Sequence, residues 1–251
     1  FFGGVSGSSL ADTAAVGGIM IPGMVRNGYT PRFAVGVTAA SSTMGILIPP
    51  SVDMVIYGAL ANVSVGALFL GGIVPGLLVG LSQMALIILV SRRQNIEVGK
   101  PYTWMQKWLA FLEAVPTLLL PIIIVGGIVG GVFTAIEAGA IAVVYAALLV
   151  LVFHRTMTWE AFLGVFRQAT QQVGSVMFTV GAAVVFGWVL AYQQVPMAVE
   201  QWAIRQELGT TGAMLFIIAM FAVLGTVMGG MASIIAFLPV LWALSEYVTE
   251  L

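Results

Sequence analysis

Long apolar stretches fill this chain, and the segments that interrupt them are of two kinds. One kind is polar and basic, as in Arg26-Asn27-Gly28-Tyr29-Thr30-Pro31-Arg32, Ser91-Arg92-Arg93 and His154-Arg155-Thr156-Met157-Thr158-Trp159-Glu160. The other is small, hydroxyl-rich and broken by Gly or Pro, as in Gly3-Gly4-Val5-Ser6-Gly7-Ser8-Ser9-Leu10-Ala11-Asp12 and in the run from Ala39 to Ser51. The first kind reads as surface loops. The second sits inside sequence apolar enough for lipid, where irregular backbone is tolerated only if protein buries it or a watery cavity meets it. Paired breaks of this sort point to a binding site in a secondary transporter.

Taken in order, the pattern predicts a re-entrant hairpin over residues 1–24, with an arm entering, a Ser-rich tip, and an arm leaving that ends at Pro22-Gly23. Phe33 to Leu60 is long enough to span, but Gly45, Pro49 and Pro50 break it midway, since proline removes a helical donor and clashes with the preceding turn. The break should leave carbonyls near Thr43 to Ile46 open to a cation and a half-helix N-terminus open to an anion. Val65 to Val90 reads as a span. Tyr102 to Phe111 places Trp104, Lys107, Trp108 and Phe111 at helical spacing, as an interfacial amphipathic helix would.

Two apolar helices, Val115 to Ile128 and Ala135 to Phe153, flank a glycine-rich link, which marks a break or a close helix contact. Thr158 is a candidate N-cap for the next helix. Gln168 to Tyr192 is a further span, and Pro196 to Leu208 a second interfacial helix. Gly212 to Gly225 and Ile234 to Leu244 flank a second small-residue tip, Met228 to Ser233, with Pro239 following it as Pro22 follows the first. The internal repeat is weak because the spacings differ.

Composition narrows the class. Of 251 residues, 60% are hydrophobic and 8% charged, against about a quarter charged in a soluble domain; mean hydropathy is +1.08. The chain is expected to be an all-α integral membrane protein, a multi-span helical bundle with re-entrant hairpins and a broken helix. Period-2 strands with regular turns are absent from the sequence, which argues against a β-barrel. The net charge of −1 argues against nucleic acid as a partner. With no cysteine and one histidine, His154, thiolate chemistry and a multi-histidine metal cluster are excluded within the chain. The first residue is Phe1 with no charged leader before it, so the expectation is a fragment lacking both ends. Arg26, Arg32, Arg92, Arg93 and Arg155 are candidate cytoplasmic flanks under the positive-inside rule.

Candidate chemistry rests on residue type. Ser6, Ser8, Ser9, Ser41, Ser42 and Thr43 supply neutral oxygen ligands, which suit sodium without burying full charges; helix packing is the competing reading for one such cluster, and two clusters each beside a break favour ion binding. Asp12 and Glu137 are acids within apolar stretches, where a carboxylate is costly and functional by default, yet each is also a candidate helix cap. Asp53 is a cap or faces water, and His154 belongs to the surface. Gly4-Val5-Ser6-Gly7 fits a G-x-S-G pattern of intramembrane serine proteases, but a nucleophile needs a base in reach, and the single histidine ends a different span.

Gly3 to Asp12, the run from Thr38 to Met54, and Gly130-Gly131-Val132-Phe133-Thr134-Ala135-Ile136-Glu137-Ala138 resemble the large membrane subunit of TRAP (tripartite ATP-independent periplasmic) transporters, and the similarity extends along essentially the whole chain. The resemblance implies a sodium-coupled importer of the elevator type, with inverted repeats. It would take an organic acid from a periplasmic substrate-binding protein and work beside a small membrane subunit in the bacterial inner membrane. Sodium would be the coupling ion, with no other cofactor, and the chain would not be an enzyme.

Carried over residue by residue, the resemblance assigns sodium to Ser6, Gly7, Ser8, Ser9, Thr43 and Gly45, and substrate to Ser9, Asp12, Ser42, Thr43 and Pro49. Gly225, Met228, Ala232 and Pro239 match the start of the second hairpin. Gly229 and Ala135 depart from the family pattern, which often has an acid and a proline there, and the second Pro-Pro break is absent. The second sodium site is therefore expected to be incomplete, and the chain alone is not expected to transport. The implied division is residues 1–95 as a transport-domain half, 96–211 as linking spans, and 212–251 as the start of the second hairpin. A scaffold or channel-type membrane subunit is the alternative to coupled transport.

Overall fold

The computed structural model describes residues 7–93, 103–155 and 157–250. They fall into two compact units, Phe1–Thr158 and Trp159–Leu251.

In the first unit, α1 (Ser9–Arg26) and α2 (Pro31–Ser42) form an antiparallel pair. Thr30 caps α2, accepting from Phe33 N at 3.4 Å, with Pro31 in the first helical position, where a missing N–H costs nothing. α2 tightens into a 3-10 turn, Thr43–Ile46, and the chain then runs irregularly through Pro49-Pro50 before α3 (Val52–Ala61). The predicted break is thus present. α3 ends at Asn62, which is left-handed with φ 54, and α4 (Val65–Arg93) comes next.

α4 presents a bare face to the break. Gly72, Gly76 and Gly80 are buried, and a Cβ on them would lie 2.5 Å from the Leu47 carbonyl oxygen, 2.7 Å from Ile48 and 2.7 Å from the Met44 methyl. With glycine at this spacing, the irregular segment lies flat on a helix, as small-residue faces allow in membranes. α5 (Trp104–Val129) and α6 (Ala135–Leu148) pair across the glycine-rich link, and the end of α6 widens into a π turn, Leu149–Phe153. The helix breaks at the link, as expected, and Phe133 of the link folds back onto Gly127, where a Cβ would overlap its ring.

The second unit begins with α7 (Trp159–Tyr192), directly after Thr158, followed by α8 (Val195–Arg205) and α9 (Thr210–Met228). Gly229, at φ 77, turns the chain into the short α10 (Gly230–Ala236), and α11 (Leu238–Glu250) leaves it at 69°. The core of this unit is Ala203, Val240 and Leu244, with Phe216, Ile217, Met220 and Phe237 packed around them. Tyr247 donates to the Leu208 carbonyl at 2.6 Å, tying α11 to the end of α8.

Five helices among the described residues are long and apolar enough to cross a membrane, or six if the bent pair counts as one span. Their large apolar side chains face outward, with Leu78 64%, Phe178 80% and Val227 81% exposed. Outward apolar surface on this scale fits lipid, not water. The fold is an all-α integral membrane protein.

Several boundaries differ from the sequence reading: the span expected from Gln168 begins at Trp159, as the helix continues unbroken from its first turn, and three others show a clear cause. α1 continues through Pro22 to Arg26. Proline costs the helix one donor at one position, and the bonds of the turns on either side hold the helix together across it. No separate interfacial helix covers Tyr102 to Phe111: α5 begins at Trp104 under a Thr103–Gln106 capping box and continues into the span. Leu112-Glu113-Ala114 are all strong helix formers, so nothing ends the helix there. Ile234 to Leu244 is not one segment, because Pro239 cannot donate to the Ile235 carbonyl and the helix opens at Phe237.

Candidate functional site

The entering arm of the expected hairpin lies outside the described residues, but the segment expected as its tip, from Gly7 on, rests directly on the break. Gly7 is left-handed, φ +67, and a Cβ there would lie 2.5 Å from the Pro50 carbonyl oxygen. Only glycine lets backbone meet backbone at this distance with this φ. Val52 N donates to the Gly7 carbonyl at 3.2 Å, so the first donor of α3 is spent on the tip. Ser8 is extended, φ −142 and ψ 123, and Ser9 opens α1.

One turn into α1, Asp12 is 5% exposed. Its amide donates to the Ser8 carbonyl at 3.0 Å. Its Oδ2 is buried with no hydrogen-bond partner among the described residues. That oxygen lies against Gly45 in the 3-10 turn: a Cβ on Gly45 would overlap it, and would sit 3.4 Å from the Ser8 carbonyl carbon. A buried unpaired carboxylate oxygen is costly, and one held at the contact of two broken segments marks a place for a cation or a proton.

The hydroxyls of α2 have spent their protons internally. Ser41 donates to the Thr38 carbonyl at 3.1 Å, Ser42 to Ala39 at 2.8 Å and Thr43 to Ala40 at 2.7 Å. What remains free on these oxygens is lone pairs, which accept or ligate; donating to an anion requires the hydroxyl to turn away from its helical carbonyl. Ser42 is buried and Thr43 exposed. Pro49 is buried behind the tip.

The structure therefore brings Gly7, Ser8, Ser9 and Asp12 together with Gly45 and the Pro49-Pro50 segment. It places Ser42 and Thr43 at the end of α2, where the 3-10 turn begins. Ser6, assigned to sodium by sequence, lies outside the described residues.

The carbonyls expected to be open are partly taken. Met44 accepts from Leu47 N at 3.0 Å and Ile48 N at 2.8 Å, and Ile46 accepts from the Ser51 hydroxyl at 2.8 Å. The 3-10 geometry supplies near donors that an abrupt stop would not. Ser51 was not among the predicted site residues. It is 1% exposed and works twice, donating to Ile46 and accepting from Met54 N at 3.4 Å as the N-cap of α3. A serine directly after Pro-Pro and before a helical run is the N-cap signal that could have found it.

Glu137 takes the structural role. It completes a capping box, accepting from Thr134 N and from Thr134 Oγ1 at 2.8 Å each, while Thr134 Oγ1 accepts from Glu137 N at 3.3 Å.

The chain matches the family model described as "Tripartite ATP-independent periplasmic transporter, DctM component" over residues 1–248. It is 38% identical over 245 residues, 97% of this chain, to the C4-dicarboxylate TRAP transporter large permease protein DctM of Pseudomonas aeruginosa, covering 57% of that protein. The sialic acid TRAP transporter large permease protein SiaM of Vibrio cholerae is 34% identical over 96% of the chain and 56% of its own length. The 2,3-diketo-L-gulonate TRAP transporter large permease protein YiaN of Escherichia coli is 34% identical over the same shares, 96% and 56%. The chain thus spans somewhat more than half the length of these relatives. They are permease subunits and not enzymes, which sets aside the serine-protease reading of Gly4-Val5-Ser6-Gly7. With its long apolar helices the chain is a multi-pass protein of the bacterial inner membrane, and it belongs to the DctM family, the large membrane subunit of tripartite ATP-independent periplasmic transporters.

Proposed function

We propose that this chain carries one half-site of a sodium-coupled importer of an organic acid, in which residues 1–95 belong to the moving transport domain. The observation that carries this reading is the buried Asp12 Oδ2 at the contact between hairpin tip and break. Ser6, Gly7, Ser8, Ser9, Thr43 and Gly45 are the proposed sodium residues, and Asp12 joins them. A carboxylate at Asp12 repels an anionic substrate, so the substrate set is Ser9, Ser42, Thr43 and Pro49. The N–H groups of Ser9, Leu10 and Ala11 at the start of α1, which no helical carbonyl can reach, suit the acid group of the substrate.

This arrangement accounts for coupling. A cation beside Asp12 cancels the charge that would otherwise oppose an anion at the same helix start. Each then favours binding of the other by the same factor, as linkage requires. The substrate would be delivered by a periplasmic substrate-binding protein, and a small membrane subunit would complete the assembly in the bilayer. The relatives' names include a C4-dicarboxylate, a sialic acid and a diketo acid.

The test is uptake by the whole permease, reconstituted in vesicles with its small subunit and binding protein. Uptake should require an inward sodium gradient, and Asp12→Asn should raise the half-saturating sodium concentration several-fold. Flux that ignores the gradient in the parent protein would favour a channel-type or scaffold subunit. Coupled uptake with an unchanged sodium titration in the Asp12→Asn protein would remove Asp12 from the site.

A further inference from the structure

A second site lies away from the hairpin tip. A groove of about 240 Å3 runs between α2 and α4, lined by Arg32, Phe33, Gly36, Val37, Leu86 and Ile87 among others. It is braced at both ends. At one end Tyr29 Oη and Ser91 Oγ are 3.4 Å apart, and Tyr29 stacks on Phe33 with ring centroids at 5.6 Å. At the other end Gln83 Nε2 donates to the Ala40 carbonyl at 2.8 Å. Between the braces Gly36 opens the wall, since nothing lies within 4 Å of where its Cβ would be.

The Tyr29–Ser91 brace also gathers charge. It sets the turn between α1 and α2, with Arg26 at the end of α1 and Arg32 at the start of α2, beside the end of α4, with Arg92 and Arg93. All four arginines are exposed. The sequence has no acid between Asp12 and Asp53, or between Asp53 and Glu97, to neutralise them from these elements. The result is an apolar slot within the span whose mouth is cationic and lies at one end of the helices.

We infer that this groove binds an anionic phospholipid, one acyl chain lying along Phe33, Gly36 and Val37 and the phosphate meeting Arg32 with its basic neighbours. The slot is apolar along its length, so a small polar solute gains nothing from entering it. The cationic mouth requires an anion, and basic pockets between helices at the cytoplasmic face bind anionic headgroups. Arginine pairs with phosphate through a planar fork that lysine lacks, and every cation in this patch is arginine.

The experiment is native mass spectrometry of the whole permease complex in detergent, titrated separately with dioleoylphosphatidylglycerol and dioleoylphosphatidylcholine. The parent protein should retain phosphatidylglycerol in preference to phosphatidylcholine. Arg32→Gln should lower that retention about fivefold, the effect of one basic residue near an anionic headgroup. Gly36→Leu, which fills the slot, should lower retention of both lipids. Inorganic phosphate should not displace the lipid. Equal retention of the two lipids by the parent would overturn the inference. So would phosphatidylglycerol retention that Arg32→Gln leaves intact, a test that stands even where Gly36→Leu does not fold. Displacement by phosphate alone would mean that the mouth binds a free anion and the slot no chain. Loss of the small subunit from Gly36→Leu with lipid retention unchanged would assign the groove to that subunit.

Discussion

Asp12 and Gly45 meet where a side chain is missing: the buried Asp12 Oδ2 occupies the place that a Cβ on Gly45 would take. The contact joins the first turn of α1 to the 3-10 turn after α2, so α1 and the break are fitted to each other through one carboxylate oxygen. Gly45→Ala should displace that oxygen. Overpacking of this kind costs about 1–3 kcal/mol, read as a lower Tm of the purified permease, and sodium-dependent uptake should fall. Asp12→Ala in the same chain should recover most of the lost stability but not the uptake. Additive losses of stability in the double variant would show that the two residues do not share the site.

Ser8→Ala and Thr43→Ala in the whole protein should weaken the sodium dependence of uptake while leaving expression and insertion intact, because neither change touches an apolar span. Thr43→Ser keeps the oxygen that now donates to Ala40 and should behave as the parent. Unchanged sodium titrations for both alanine variants would sink the assignment of these hydroxyls.

The break itself can be closed. Replacing both Pro49 and Pro50 by alanine removes about 3 kcal/mol of helix penalty at each position and should extend helix across the segment between α2 and α3. Joining those helices would pull Ser51 off the Ile46 carbonyl and Val52 N off Gly7, both of which depend on the irregular chain between them. The double variant should insert normally and lose coupled uptake. Parental uptake with a continuous helix would reduce the break to a packing feature.

Glu137 gives the opposite pattern. Glu137→Ala removes the return half of the Thr134 capping box, a loss of about 1 kcal/mol. Thermal stability should drop while the half-saturating sodium concentration stays where it was. A shifted sodium titration would give this acid a role that its hydrogen bonds do not show.

Orientation has a direct test in a chain without native cysteine. The Tyr29–Ser91 contact puts Arg26 and Arg92 at the same end of the first unit. Cysteines placed at 26 and 92 should therefore react with an impermeant reagent from one side only, and the basic character of both segments makes that side the cytoplasm. Labelling from opposite sides would contradict the contact; labelling of both from the periplasm would invert the topology.

Much of this was legible in the sequence because lipid is a strict solvent. Twenty apolar residues in a row leave a chain few options but helix, so the spans from Val65, Ala135 and Gly212 stand close to where their apolar patterns put them. The break at Pro49-Pro50 was legible for the same reason, since no neighbour can restore an absent N–H. Proline alone was a poor guide elsewhere: Pro22, Pro116 and Pro121 sit inside continuous helices, because losing one bond does not end a helix whose flanks are strong. What the sequence left open was which polar group meets which. Asp12 and Glu137 read alike, as acids in apolar surroundings, and only tertiary structure separates them. Glu137 finds both its partners three residues away in its own chain, whereas Asp12 is defined by Gly45, brought to it by the folding of α1 against α2. The arginine-mouthed groove belongs to the same class as Asp12. A local motif closes its hydrogen bonds within one turn and can be read from spacing; a contact between distant segments depends on how helices pack, and that is settled by the shape of whole side-chain faces.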